Sequence, residues 1–95
     1  MGDLPMGVFV HLHKIHRQFT DGLATVEVEG KTVEECLENL VKKYPAMRRA
    51  IFKEDNRVAN NIEIYVNQTS AYPNEMKKEV NDGDNIHLVV MLAGG

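Results

Sequence analysis

The sequence is poor in the residues and patterns that define several large classes of protein. Its 95 residues include a single cysteine, Cys36, which excludes an internal disulfide framework and a zinc site built from cysteines. The longest uninterrupted apolar run covers residues 88–93, whereas a membrane-spanning helix needs about 20 such residues. The chain has 14 acidic and 11 basic residues, which gives a net charge of -3. Nucleic acid and anionic membranes are therefore disfavoured as partners, because both bind concentrated basic surfaces.

The remaining composition is typical of one small globular domain. A chain of 95 residues is long enough for one domain and too short for two. Its 43% hydrophobic and 26% charged residues are ordinary for a folded protein and argue against disorder. The opening sequence MGDLPMG has no basic segment followed by an apolar stretch, so it predicts no secretory signal. We therefore expect a single domain over residues 1–95, located in the cytoplasm.

Alternating apolar side chains predict two strands in the first third of the chain. Residues 7–12 alternate in this way, and residues 23–29 do so again after the turn pair Asp21-Gly22. The two segments are expected to form an antiparallel hairpin with a long connection.

The clearest element is an amphipathic helix over residues 33–44. Thr32 is a favourable N-cap, Glu35 completes a capping box, and Pro45 ends the helix. Cys36 lies on its apolar stripe, which predicts a buried and unreactive thiol. The stripe has the spacing of one helical face and consists of Val33, Cys36, Leu37, Leu40, Val41 and Tyr44.

The second half of the chain adds a short helical turn and two more strands. Residues 46–52 favour the helical turn, and residues 62–66 alternate as a third strand. Residues 68–79 have no regular pattern, the turn Asn-Asp-Gly-Asp covers residues 81–84, and a last strand is predicted over residues 86–92. This order predicts an α+β fold, in which a mixed sheet of four to five strands wraps over one main helix.

A helix that covers one face of this sheet leaves the other face open. Exposed aromatic and methionine side chains in one patch are typical of a protein-binding surface. In the alternative interpretation, the irregular segment 68–80 folds over part of this face. The side chains expected on the open face are Phe9, His11, Glu63, Tyr65, His87, Val89 and Met91.

Other candidate sites have weaker support. His11, His13 and His16 invite a metal-ion interpretation, but no carboxylate or cysteine lies nearby in sequence to complete a tetrahedral set. A solvated strand and loop is the favoured interpretation of these histidines. Ser70 is the only serine and lacks a GxSxG context, and the glycines are too scattered for a phosphate-binding loop. We expect no catalytic residue, no metal and no bound cofactor.

The sequence ends in two glycines, Gly94 and Gly95, directly after the last predicted strand. A frayed tail is the simplest interpretation of such a pair. The position of the pair directly after a strand favours a second interpretation, because glycine lets an extended backbone enter a slot that a Cβ atom could not pass. We expect residues 93–95 to form a flexible tail whose terminal carboxylate reaches the active site of another protein.

Taken together, these features resemble the ubiquitin-like β-grasp sulfur carriers of the MoaD/ThiS family. The resemblance covers nearly the whole chain and rests on VEVEGKTVEECLENLVKKYP, NIEIYVN, VNDGDNIHLVV and the terminal AGG, in that order. Length favours the longer branch, which includes the small subunit of molybdopterin synthase and the carrier for cysteine synthesis. The sequence departs from many family tails in having no proline over residues 90–93.

The resemblance implies a carrier that is a substrate of enzymes, although it could be the small subunit of a sulfur-transfer enzyme. In such carriers an adenylating enzyme of the ubiquitin-activating type uses ATP and Mg to activate the terminal carboxylate, here that of Gly95. A sulfur donor then leaves a thiocarboxylate, which a synthase or large subunit accepts. Gly94 provides the narrow approach, and Ala93, Leu92 and Met91 line the mouth of the partner's channel. The partner-binding surface that we predict from the open face of the sheet consists of Phe9, Tyr65, His87 and Val89.

Two other functions stay open at the level of sequence. A ubiquitin-like modifier would be conjugated through Gly95 to lysines of target proteins, and a non-catalytic interaction module would make no use of the glycines. The sulfur acceptor also stays open, between molybdopterin, cysteine and another sulfur metabolite.

Overall fold

The computed structural model describes residues 7–53 and 57–91. Two short 3-10 helices, Lys14–Phe19 and Glu75–Lys77, lie between its regular elements. The helices are α1 (Val33–Lys43) and α2 (Met47–Ile51), and the strands are β1 (Val8–His11), β2 (Thr25–Val28), β3 (Ile62–Val66), β4 (Thr69–Ser70) and β5 (Asn85–Val90).

The five strands form one mixed sheet in the order β2-β1-β5-β3-β4. The first hairpin is antiparallel, as predicted, and β1 pairs in parallel with β5. On its other side β5 pairs antiparallel with β3, which in turn pairs with the short edge strand β4. A mixed sheet packed on one main helix is the ubiquitin-like β-grasp fold that the sequence predicts.

Local hydrogen bonds explain why α1 begins where it does. The Thr32 hydroxyl accepts from the Glu35 N–H at 3.2 Å, and the Glu35 carboxylate accepts from the Lys31 N–H at 2.8 Å. This nearly reciprocal arrangement satisfies donors that the first turn leaves without helical partners. Tyr44 is the C-cap, so the helix ends one residue before its predicted boundary.

The core lies between α1 and the inner face of the sheet. The alternating buried residues of β1, β3 and β5 point into this core. Within residues 7–53 and 57–91, no helix is long and apolar enough to cross a bilayer. Burial of each large aliphatic side chain is worth about 1.5–3 kcal/mol relative to exposure. The most deeply buried of these side chains are Leu37, Leu40, Met47, Ile51, Ile64, Ile86, Val8 and Val10.

Cys36 is fully buried on the apolar stripe of α1, as predicted. Burial and the neighbouring Glu35 carboxylate raise the pKa of its thiol to about 11. Because the thiolate is the reactive form, this thiol is unreactive at neutral pH.

The prediction that residues 68–79 are irregular was wrong in part. Asn67 and Gln68 both have positive φ values, 50° and 78°, and join β3 to β4 in a two-residue hairpin turn. In a sequence, such turns are usually recognised by the pair Asn-Gly. This chain has glutamine at the second position, so the pattern did not predict the turn. The Asn67 side chain stabilises the turn by donating to Asp84 at 2.9 Å and accepting from the Asn85 N–H at 2.9 Å.

Three other predicted boundaries also differ from the structure. The first strand ends at His11, the second covers only Thr25–Val28, and the connection between them contains a 3-10 helix. The last strand covers Asn85–Val90, so it begins one residue before its predicted start and ends before Met91, and the predicted strand residue Leu92 lies outside the described residues.

The end of the segment after β4 packs beside the start of α1. Ala71 and Val80 join the hydrophobic core. The Lys78 carbonyl accepts from the Val33 N–H at 2.9 Å, and the Lys31 carbonyl accepts from the Val80 N–H at 3.0 Å. These bonds hold the end of the segment against the start of the helix, whereas Tyr72 and Met76 line a groove together with Glu63 and Met91 at one edge of the open face.

Candidate functional site

The central strand β5 leads directly to the end of the chain. Met91, the last residue that the structure describes, is 48% exposed, and its N–H donates to the Asn61 carbonyl at 2.8 Å. Behind it, β5 is paired with β1 over residues 85–87 and with β3 over residues 86–90. The end of the chain therefore leaves from a point anchored in the middle of the sheet. The predicted tail residues Leu92, Ala93, Gly94 and Gly95 lie outside the described residues.

The register of the strands brings the predicted surface residues onto one face. His11 faces Thr25 of β2 on one side and His87 of β5 on the other, and His87 in turn faces Tyr65 of β3. In the adjacent row Val89 faces Glu63. Phe9, Tyr65 and His87 are half-buried, whereas Val89 and Met91 are exposed.

Two hydrogen bonds fix the ring of His11. Its Nε2 lies 2.7 Å from the Asn85 Oδ1, and its Nδ1 lies 3.1 Å from the Thr25 hydroxyl. Because an amide oxygen only accepts, Nε2 carries the proton and Nδ1 accepts from Thr25. Sequence reasoning missed both partners, since only the cross-strand register shows that they flank this histidine.

His87 is held by stacking instead. Its ring lies nearly parallel to that of His11, with the centroids 4.3 Å apart and an angle of 12° between the planes. No residue within the described ranges forms a hydrogen bond with its nitrogens. Burial, together with the neighbouring His11, lowers the pKa of His87 below its ordinary value. The centre of the face therefore presents a neutral imidazole at pH 7.

Two carboxylates border this central patch. Glu63 accepts a hydrogen bond from the Tyr65 hydroxyl at 3.2 Å, and the same carboxylate raises the pKa of that hydroxyl. Glu27, on β2, faces Phe9 across the hairpin. The face thus combines an apolar and aromatic centre with negative flanks. This composition suits protein binding, because aromatic and methionine side chains are enriched in interfaces.

The remaining histidines, His13 and His16, lie in the connection between β1 and β2. His13 caps the first 3-10 helix, where its Nδ1 accepts from the Ile15 N–H at 3.1 Å. His16 was predicted to be solvated and is instead 4% exposed, because the 3-10 helix turns it inward beside α2. Among the described residues, no group of three or more His, Cys, Asp or Glu side chains could hold a metal ion.

Acidification is expected to destabilise the fold through His16. Burial, and secondarily His13, lower the pKa of His16 below its unfolded value of 6.5. Above pH 6.5 the ring is neutral in both states. Below it the unfolded chain binds a proton that the folded chain does not, so the free energy of unfolding falls as the pH falls.

Urea unfolding of the wild type between pH 7.5 and 5.5 measures this slope. The free energy of unfolding of His16→Gln should depend less steeply on pH over the same range, and Gln18→Ala, at an exposed position of the same 3-10 helix, serves as the control. If the free energy of unfolding depended on pH equally in the wild type and in His16→Gln, His16 would not be the group responsible.

A shallow groove opens beside the end of β5. Its apolar lining comes from Tyr72, Met76 and Met91, and Lys53 and Lys77 border it. Tyr72 is 74% exposed, the largest exposure among the big apolar side chains of the described residues. The groove was not predicted, because its residues come from segments without a regular pattern.

Comparison with known proteins agrees with this geometry. The ThiS family model matches residues 10–95, and no curated protein sequence matches the chain. Among solved structures, a chain of the Amycolatopsis orientalis BexX/CysO complex is 29% identical, with a TM-score of 0.86 over 94% of this chain and 100% of that one. SAMP1 from Haloferax volcanii is 24% identical, with a TM-score of 0.80 over 93% and 98% of the two chains. A putative molybdopterin converting factor subunit 1 from Pyrococcus furiosus is 23% identical, with a TM-score of 0.67 over 90% and 97%. Because the family model matches most of the chain, the protein belongs to the ThiS family of ubiquitin-like β-grasp sulfur carriers.

Proposed function

We propose that this protein carries sulfur as a thiocarboxylate on Gly95. The observation that carries the proposal is the match of the ThiS family model through residue 95, which includes the two terminal glycines. The anchored end of β5 supports it, since a rigid base gives the tail a defined starting point. The protein is then a substrate of its partners and binds no cofactor itself.

The chemistry proceeds in two steps on a partner enzyme in the cytoplasm. An adenylating enzyme of the ubiquitin-activating type binds ATP and Mg, and the Gly95 carboxylate attacks the α-phosphate and releases pyrophosphate. Sulfide delivered by a donor then attacks the acyl carbon, and AMP departs with the oxygen that bound it. The C–S bond replaces a C–O bond, and the thiocarboxylate passes its sulfur to an acceptor on a synthase or large subunit.

The chain's own residues serve docking and delivery. Gly94 and Gly95 enter the partner's active site, where the absence of a Cβ permits a narrow channel. Ala93, Leu92 and Met91 line the mouth of that channel. The docking surface on the sheet consists of Phe9, Tyr65, His87 and Val89.

The acceptor we favour is a small metabolite held by a partner protein. The structure most similar among the three described above is a chain from a BexX/CysO complex, at 29% identity. This likeness supports a carrier that assembles with its partner during sulfur transfer. Conjugation to lysines of proteins is the second candidate, and the same experiment distinguishes the two.

The decisive experiment follows the intact mass of the native-ended protein. The chain is incubated with the adenylating enzyme from the same genome, ATP, Mg and a sulfide source, and then analysed by mass spectrometry. We expect a species heavier by one oxygen-to-sulfur exchange, with the change localised to Gly95. A stable conjugate of higher mass on a denaturing gel would favour the modifier, and an unchanged mass with an enzyme that hydrolyses ATP would overturn both.

A charge introduced on the open face is expected to weaken docking. Val89 is 38% exposed beside the central patch, and Val89→Asp places a carboxylate where an apolar contact is proposed. We expect a loss of about 1–2 kcal/mol in binding to the adenylating enzyme, as for an interface hot spot. Calorimetric titration measures the change.

Leu23→Asp is the matched control, because Leu23 is 45% exposed and lies before β2, outside the open face. Equal affinities for the two variants would show that the open face is not the docking surface.

A further inference from the structure

The stacked histidine pair occupies the centre of the open face and has unequal hydrogen bonding. Both nitrogens of His11 are engaged, by Thr25 at 3.1 Å and Asn85 at 2.7 Å. Those of His87 have no hydrogen-bond partner among residues 7–53 and 57–91. His11 is therefore a fixed platform, and His87 is oriented by it with both nitrogens available to a docking protein.

The charged groups around the pair are all acidic on the sheet itself. From β2, Glu27 lies one row from His11, opposite Phe9, and from β3, Glu63 lies one row from His87, opposite Val89. Tyr65, directly opposite His87, stays protonated because Glu63 raises the pKa of its hydroxyl. Beyond the end of β1 lie the cap residue His13 and, in the 3-10 helix, Lys14 and Arg17, whose guanidinium turns back to the Leu12 carbonyl at 3.3 Å. The groove that Glu63 lines at the other edge also has basic side chains, Lys53, Arg57 and Lys77.

Protonation of His87 would reduce the negative charge of this surface. With the rings neutral, Glu27 and Glu63 give the patch two negative charges, and one imidazolium ion would cancel one of them. That imidazolium would stack on the His11 ring, with the centroids 4.3 Å apart. A proton on Nδ1 of His11 would instead force the Thr25 hydroxyl to reverse from donor to acceptor.

We propose that the open face docks a cationic surface of the adenylating partner through Glu27 and Glu63, and that His87, stacked on His11 with both nitrogens available, makes this docking depend on pH. The inference rests on the function proposed above and adds the chemistry of the partner's surface and its regulation. At neutral pH the carboxylates pair with arginine or lysine side chains while the neutral rings are buried. At acidic pH the imidazolium of His87 repels those cations and resists burial, so docking weakens.

The first test uses the protein alone. The Hε1 resonance of His87 is followed by NMR from pH 8 to pH 5 in wild type and in His11→Gln. We expect His87 to gain its proton at a lower pH in the wild type than in the variant, because the variant lacks the imidazole stacked 4.3 Å away. The same titration midpoint in both proteins would overturn the coupling.

The second test measures the Kd for the adenylating enzyme without ATP at pH 7.5 and pH 5.8. We expect wild-type affinity to fall by about threefold to tenfold on acidification. In His87→Gln the difference in Kd between the two pH values should be much smaller. Any part of the difference that comes from titration of the enzyme itself remains in the variant, so it can be subtracted from the wild-type value. At pH 7.5, Glu27→Gln and Glu63→Gln should each weaken binding and lessen its salt dependence. Glu34→Gln, on the exposed face of α1, is the control and should change neither.

The outcomes separate this inference from the proposed function. The enzyme could adenylate the chain and yet bind it with the same affinity at both pH values, or bind the Glu27 and Glu63 variants as tightly as the wild type. Either result would overturn the inference and leave the carrier function standing. An enzyme that hydrolyses ATP and never modifies the chain overturns both.

Discussion

A chain extended by one alanine after Gly95 is expected to acquire no sulfur at all. The added residue moves the carboxylate away from the position at which the partner would adenylate it and puts a methyl group where the proposed channel admits only glycine. The intact-mass assay, with the adenylating enzyme, ATP, Mg and sulfide, measures this directly. The loss should be complete, because an acyl-adenylate forms only at a free carboxylate of the correct reach.

The extended chain should nevertheless fold as the wild type does. Among the described residues the hydrophobic core ends at Val90, and the last backbone hydrogen bond of the sheet region is donated by Met91. Its free energy of unfolding should therefore match that of a chain with one alanine added before Met1. That N-terminally extended chain is also the activity control and should acquire sulfur normally. Sulfur on the C-terminally extended chain would show that Gly95 is not the reacting residue.

Local sequence signals predicted the elements whose causes are local. Thr32 and Glu35 lie three residues apart and bond as a capping box, so the start of α1 was correct. The strand at residues 62–66 was also correct, because its alternation records which side chains face the core. The turn at Asn67-Gln68 was missed because Asp84 and Asn85, distant in sequence, stabilise its unusual backbone.

The candidate site shows the same division between local and distant causes. Alternation assigned Phe9, Tyr65, His87 and Val89 to one face, which the strand register confirms. Their role as a docking surface stays a prediction. The stack of His11 on His87 could not be predicted, because the parallel pairing of β1 with β5 joins segments at opposite ends of the chain. His16 was misplaced for a related reason, since its burial depends on how a 3-10 helix packs beside α2.

Gly30→Ala is expected to destabilise the fold more than Gly22→Ala does. A Cβ at this position would lie 2.7 Å from the Cys36 Sγ, 2.8 Å from the Cys36 backbone nitrogen and 3.1 Å from the Glu35 Cβ. Backbone cannot yield as a flexible side chain does, so the start of α1 must shift and its capping box is disturbed. Overpacking combined with a weakened cap should cost about 2–4 kcal/mol in the free energy of unfolding.

Gly22→Ala is the matched control, because a Cβ there meets nothing within 4 Å and only the positive φ of 85° opposes it. That strain alone should cost about 1 kcal/mol. Adding Cys36→Ala to Gly30→Ala should recover part of the loss, since it removes the Sγ contact and leaves the contact with the backbone nitrogen. Urea unfolding of Gly30→Ala, of Cys36→Ala and of the double variant measures the coupling between the two positions. A Gly30→Ala protein no less stable than Gly22→Ala would mean that the strand and α1 can separate at this junction without loss, and that their close approach is not what orients the helix on the sheet.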